Sequence, residues 1–150
     1  MEPSAPTPSL AAPGVGRRLL SMLYEALLAF AIAFLAGFVF YGVTQRRLDG
    51  ETRLFFQIYL FLVLGAYFVL CWSRGGRTLA MQTWKLRIVR WDGASVGVWR
   101  ATLRYGLAWV SLASLGAGFL WACADRDGQF LHDRLAGTRI VSAGDFTARR

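Results

Sequence analysis

Three uncharged runs restrict this chain more than any other feature. Ala26–Thr44, Leu54–Ser73 and Tyr105–Ala124 each extend for 19 or 20 residues without Asp, Glu, Lys, Arg or His. As helices rising about 1.5 Å per residue, each would reach roughly 30 Å, the thickness of a bilayer's hydrocarbon layer. A core helix of a soluble domain seldom needs that length or uniformity. The runs therefore predict an all-α integral membrane protein of three transmembrane segments, at about residues 19–43, 54–72 and 105–124. Apolar residues make up 55% of the chain and charged residues 17%, an imbalance in the same direction.

The segments between the runs are equally informative. Residues 1–16 are rich in Pro, Ala and Ser, lack periodicity and read as a disordered tail. Arg17-Arg18 before an apolar run, with Ala31-x-Ala33 inside it, resembles an export signal. The run is too long for a signal core, however, and Glu25 interrupts its start, so a retained membrane segment is expected. Residues 17–142 form the membrane domain and 143–150 a second tail. Asp49-Gly50 signals a turn between the first two segments. The long central link opens with Gly75-Gly76. Within it, Thr78 is placed to cap a short interfacial helix over "LAMQTWKL". The β-branched "LRIVR" precedes an Asp92-Gly93 turn and is echoed by "TRIVS" at Thr138–Ser142, so a small two-stranded β element outside the bilayer is expected. Ser95 is a candidate cap for the helix carrying Arg100 and Arg104. Gly65 and Ala66 offer a place for close helix approach. Trp72 and Trp84 suit the water–lipid boundary.

The net charge is +8, with the arginines flanking apolar runs instead of lining one polar face. That pattern predicts contact with the bilayer and its anionic head groups, and no nucleic-acid partner. Three full crossings divide Lys and Arg almost evenly between the two sides. If the third segment instead enters and returns as a re-entrant hairpin, with a break at Gly116 and Gly118, the basic residues gather strongly on one side. Both arrangements place the central link in the cytoplasm. Cys71 and Cys123 lie inside apolar runs and read as small core residues.

Glu25 is the residue that needs a reason. A carboxylate carried into the bilayer is costly, and such groups generally face protein or water and find a partner. Arg18 lies seven residues earlier, on the same helix face and about 10 Å away along the axis, so a third group is needed to bridge them. Ser21 shares that face. The closing stretch "ADRDGQFLHDRLAGTRIV" supplies candidates: Asp125, His132 and Asp133. Asp125-x-Asp127-Gly128 lacks the remaining ligands of a calcium loop, and a lone His132 makes a poor metal site, so neither a metal nor a cofactor is expected. No GxSxG, HExxH or CxxC occurs, and no enzyme activity is expected.

Arg18 with Glu25, the link "RGGRTLAMQTWKLRIVRWDG" and the closing "HDRLAGTRIV" together resemble the RDD family of bacterial membrane proteins, over about residues 16–142. The family is named for an arginine and two aspartates. The resemblance implies that Arg18 is the family arginine, Asp133 the second aspartate, with Asp125 the second choice, and Thr138 the threonine that follows. Glu25 stands where the first aspartate would be, one methylene longer. The resulting expectation is an intramembrane cluster of Arg18, Glu25 and Asp133, with Asp125, His132, Arg104 and Thr138 as secondary candidates. The resemblance implies a transport-related protein of the bacterial inner membrane. With so few spans it would act as a homo-oligomer or with a membrane protein partner. The alternative is a non-catalytic accessory or assembly factor that docks a partner through its basic link.

Overall fold

The structure is a computed structural model and describes residues 14–45, 50–114 and 130–143. Its elements run α1 (Val15–Thr44), α2 (Gly50–Gly75), α3 (Leu79–Thr83), β1 (Leu86–Arg90), α4 (Val98–Ala113), α5 (Leu131–Leu135) and β2 (Thr138–Ser142). α1 and α2 hold 30 and 26 residues, roughly 45 and 39 Å, so each exceeds its apolar run and takes in the charged flanks. α1 ends where Gln45 turns left-handed and returns its N–H to the Tyr41 carbonyl.

The apolar faces of these two helices are not used up by packing within the chain. Phe30 is 71% exposed and Phe38 75%, and only 6% of each helix's most hydrophobic window is buried. A soluble core helix with this composition would be mostly covered by protein. Faces left open on this scale, on helices long and apolar enough to span a bilayer, fit a membrane protein. The third expected segment is described only as far as α4 and Ser114. Its remainder, with Gly116, Gly118 and Cys123, lies outside the described residues.

A compact polar end accompanies the two long helices. The "LRIVR" and "TRIVS" strands pair antiparallel, with Leu86 opposite Ser142, Ile88 opposite Ile140 and Arg90 opposite Thr138. Both strands bury their first, third and fourth residues, so one face meets the core through Leu86, Ile88 and Ile140 while Val89 and Val141 are buried on the opposite face. That core joins Trp72, Met81, Leu86, Ile88, Val96, Tyr105, Phe130 and Ile140. Gly76 links it to α2. Its carbonyl accepts from Ile88 N–H at 2.6 Å, its φ is +64°, and a Cβ there would lie 2.7 Å from the Ile88 carbonyl oxygen, so only glycine fits. Thr78 caps α3 by accepting from Met81 N–H, as the sequence predicts. The Asp92-Gly93 turn also forms, with Arg90 N–H donating to Ala94 O and Ala94 N–H to Asp92 Oδ1. Ser95 does not cap α4; Gly97 occupies that position without a side-chain hydrogen bond.

α2 is the spine. α1 packs along one side of it and α4 along another, while α1 and α4 barely meet. Gly65 permits the α2–α4 approach: a Cβ there would sit 3.0 Å from Tyr105 Cε1, and the Tyr105 hydroxyl donates to the Phe61 carbonyl at 2.8 Å. Because β1 and β2 belong to one sheet, everything between them begins and ends at the same place.

Candidate functional site: a buried charge cluster at the polar end

α4 carries Arg104 inward, one position before the Tyr105 that fits against Gly65. The short helix α5 opens at Phe130 and presents His132 and Asp133 to the same spot. Arg104 Nη2 lies 2.8 Å from Asp133 Oδ1, and both side chains are removed from solvent, at 4% and 0% exposure. A pair this deep holds only because each charge answers the other; either alone would leave an uncompensated charge in an apolar core. The other face of the guanidinium rests on Trp72, 4.6 Å above the ring centroid. Asp133 is further fixed through its backbone, whose carbonyl accepts from Thr138 Oγ1 at 3.2 Å. His132 stacks on Phe130 with ring centroids 5.4 Å apart, and its Nε2 is 3.5 Å from Asp133 Oδ1. Burial pushes the His132 pKa down to about 4, with Arg104 adding to the shift and Asp133 opposing it, so the ring is neutral near pH 7.

The second half of the cluster comes from α1. Arg18 and Ser21 are buried, and Glu25 lies one turn beyond Ser21. Glu25 Oε2 accepts a hydrogen bond of 2.6 Å from Thr78 Oγ1. That hydroxyl therefore works in both directions: it accepts from Met81 N–H as the α3 cap and donates to the carboxylate. Nearby, Arg17 Nη2 donates to the Trp84 carbonyl at 2.8 Å, which ties the start of α1 to the end of α3. Arg18, Glu25, Arg104 and His132 line one cavity of about 470 Å³, whose remaining walls are almost wholly apolar. Asp133 is not on that wall; it stands behind Arg104.

The structure thus brings Arg18, Glu25, Asp133, Arg104, His132 and Thr138 to one end of the fold, while Asp125 lies outside the described residues. One sequence expectation changes in detail. The group that bonds Glu25 is Thr78 of the link instead of a member of the closing stretch, and the cation on Asp133 is Arg104. Trp72 also differs. It is buried beneath Arg104 and serves as a platform for the cation instead of marking the lipid boundary. Nothing in the local sequence separates a capping threonine from one that also binds a carboxylate 53 positions away; only the fold joins them. Among the described residues no group of three or more His, Cys, Asp or Glu could hold a metal ion.

Two outcomes follow for the buried pair. Asp133→Asn strands the Arg104 charge and is expected to destabilise the protein by about 3–5 kcal/mol, whereas Arg104→Met with Asp133→Leu recovers much of that loss. Thermal unfolding in detergent measures both; a single variant as stable as the parent rules the pair out as a structural element. For His132, a folded pKa of about 4 lies below the ordinary 6.5. Its neutral ring therefore supports the fold fully above pH 6.5, and that support is lost as pH falls through the folded value. The unfolding temperature should decline over this window, and His132→Gln should flatten the decline. An unchanged slope in the variant would mean that another group controls it.

No curated protein and no solved structure matches the chain. The RDD family model does, over residues 12–137, a range that takes in Arg18, Glu25, the whole central link and His132-Asp133. With that match spanning most of the sequence, the chain belongs to the RDD family.

Proposed function

We propose that this chain is a small transport-related protein of the bacterial inner membrane, and that its Arg18, Glu25 and Asp133 cluster takes up and releases protons or cations. One observation carries the reading. Glu25 sits on a membrane-length helix, yet its carboxylate is turned onto Thr78 and into a cavity it shares with two arginines. An ionisable group placed at membrane depth against protein, beside opposite charge and a cavity, is the usual equipment of an ion pathway. Two long helices enclose too little to form such a pathway alone, so the active form is a homo-oligomer or a complex with another membrane protein. No step here requires covalent catalysis, and the protein is not an enzyme.

In proteoliposomes carrying a pH or cation gradient, Glu25→Gln should lower flux by about tenfold or more, while Glu25→Asp keeps part of it. Flux that is equal in the parent and in Glu25→Gln ends the transport reading. The accessory-factor reading would then take its place, for it has its own support. Arg74, Arg77 and Lys85 are exposed on the central link, close in sequence to exposed Trp91 and Trp99, a basic and aromatic face suited to head groups or a partner.

The multi-pass topology belongs to the same proposal. Pairing of β1 with β2 supports an even number of crossings between them, since a single crossing would leave the strands on opposite sides of the bilayer. The reading is two spanning helices followed by a segment that enters and returns, with the central link and the C-terminus both cytoplasmic, in accord with the clustering of Lys and Arg. Reporters fused in the central link and after Arg150 should give same-side signals; opposite signals would require three full spans and a different sheet.

A further inference from the structure

The cavity continues well past the charged residues. From Arg18 to Ala29 on α1, from Trp72 to Leu64 on α2 and from Arg104 to Leu112 on α4, its wall runs away from the polar end for roughly 12–16 Å. α2 forms the floor. Since α1 and α4 scarcely touch, the described residues leave a groove between them, with the small side chains of Ala29 and Ala108 on facing walls. Its volume of about 470 Å³ is within the roughly 300–1,000 Å³ typical of small-ligand sites, and its apolar walls give water few partners.

The polar end is chemically incomplete in two opposite senses. Arg104 is 3% exposed and Trp72 6%, yet among the described residues Arg104 Nε and Nη1 and Trp72 Nε1 have no hydrogen-bond acceptor. Glu25 Oε1, on the same cavity, has no donor among them. Such groups cost free energy while unsatisfied. Among the described residues formal charges balance across the cluster, Arg18 and Arg104 against Glu25 and Asp133. A purely anionic or purely cationic guest would disturb that balance, whereas a guest with an oxyanion and an ammonium satisfies both needs and keeps it.

We propose that the groove between α1 and α4 binds a single acyl chain of a zwitterionic, primary-amine amphiphile, with its phosphate on Arg104 and Trp72 and its ammonium on Glu25. This class has what the site lacks. The phosphate accepts from the guanidinium and indole N–H groups, and the ammonium supplies N–H donors that a trimethylated head does not have. The assignment does not depend on transport, because it concerns equilibrium occupancy with no gradient.

The test is native mass spectrometry of the full chain in detergent micelles with 1-oleoyl lysophosphatidylethanolamine, its choline and glycerol counterparts, and free phosphoethanolamine. The ethanolamine lysolipid should give one adduct, about fivefold or more favoured over the other two, and free phosphoethanolamine should give none. Ala108→Phe fills the groove one helical turn, about 6 Å, beyond Arg104 and should weaken binding by about tenfold or more; Ala29→Phe, one turn beyond Glu25, does the same from the opposite wall if the first variant does not fold. Glu25→Gln should erase the preference for ethanolamine over glycerol. Trp72→Phe keeps the platform for Arg104 and should weaken all three lysolipids alike. Equal binding of the three lysolipids by the parent chain, undiminished adducts in the folded groove-filling variant, or capture of phosphoethanolamine without its chain would each overturn the proposal. Lost lysolipid selectivity with Glu25-dependent flux intact would leave the transport reading standing, and the reverse result would leave this one.

Discussion

The Arg104–Asp133 pair is the constraint on which the polar end depends. It joins a helix in the third apolar region to the closing motif, and it does so with both charges withdrawn from water. Such a pair is poor evidence of added stability, since an apolar replacement of equal shape often serves as well. What it supplies is uniqueness of arrangement. Among the described residues Asp133 pairs with Arg104, Arg104 rests on Trp72, and Trp72 belongs to the last turns of α2. Helix α4 cannot rotate or slide along α2 without separating that buried pair. Gly65 beneath Tyr105 then sets how closely the two helices lie.

The small sheet acts on a different scale. Two five-residue strands could not persist alone in water. They persist here because Leu86, Ile88 and Ile140 enter the core that also takes Trp72, Met81 and Tyr105, and because the Gly76 carbonyl receives one of the β1 N–H groups. The sheet in turn determines where α5 lies. Thr138, the first residue of β2, donates to the carbonyl of Asp133, so the register that pairs Arg90 with Thr138 also places the aspartate beneath Arg104. Strand register and buried charge pair are one arrangement seen from two directions.

Much of this was legible in the sequence, and the reasons differ by element. The two long helices follow from uninterrupted hydropathy, a signal that needs no tertiary context. The strands follow from a repeated β-branched pattern around an Asp-Gly turn. The α3 cap follows from a threonine after a glycine pair. What stayed hidden is pairing across distance. Arg104 looked like one of several basic residues at a helix start, since helix periodicity cannot say which arginine turns inward. Trp72 looked like a boundary residue because tryptophan is common there, and only its position under Arg104 assigns it to the core. Glu25 drew attention by its cost, but cost identifies a residue in need of a partner without naming that partner. Ser95 illustrates the reverse error: a good capping residue two positions too early, left unused because the helix starts after Gly97.

The replacement of an expected aspartate by Glu25 acquires a physical meaning from Thr78. The threonine hydroxyl is committed in direction, because its lone pair must face the Met81 N–H to cap α3. Its own proton is then aimed away from α3, and the Glu25 carboxylate meets it at 2.6 Å. A carboxylate one methylene shorter on the same turn of α1 would leave that proton unreached unless α1 moved toward the link, and the Arg17 bond to the Trp84 carbonyl holds the start of α1 where it is. The longer side chain thus closes the contact between two elements that pack closely. Side-chain length and the packing of α1 on α3 are therefore linked through one hydroxyl whose two hydrogen-bonding capacities are both in use.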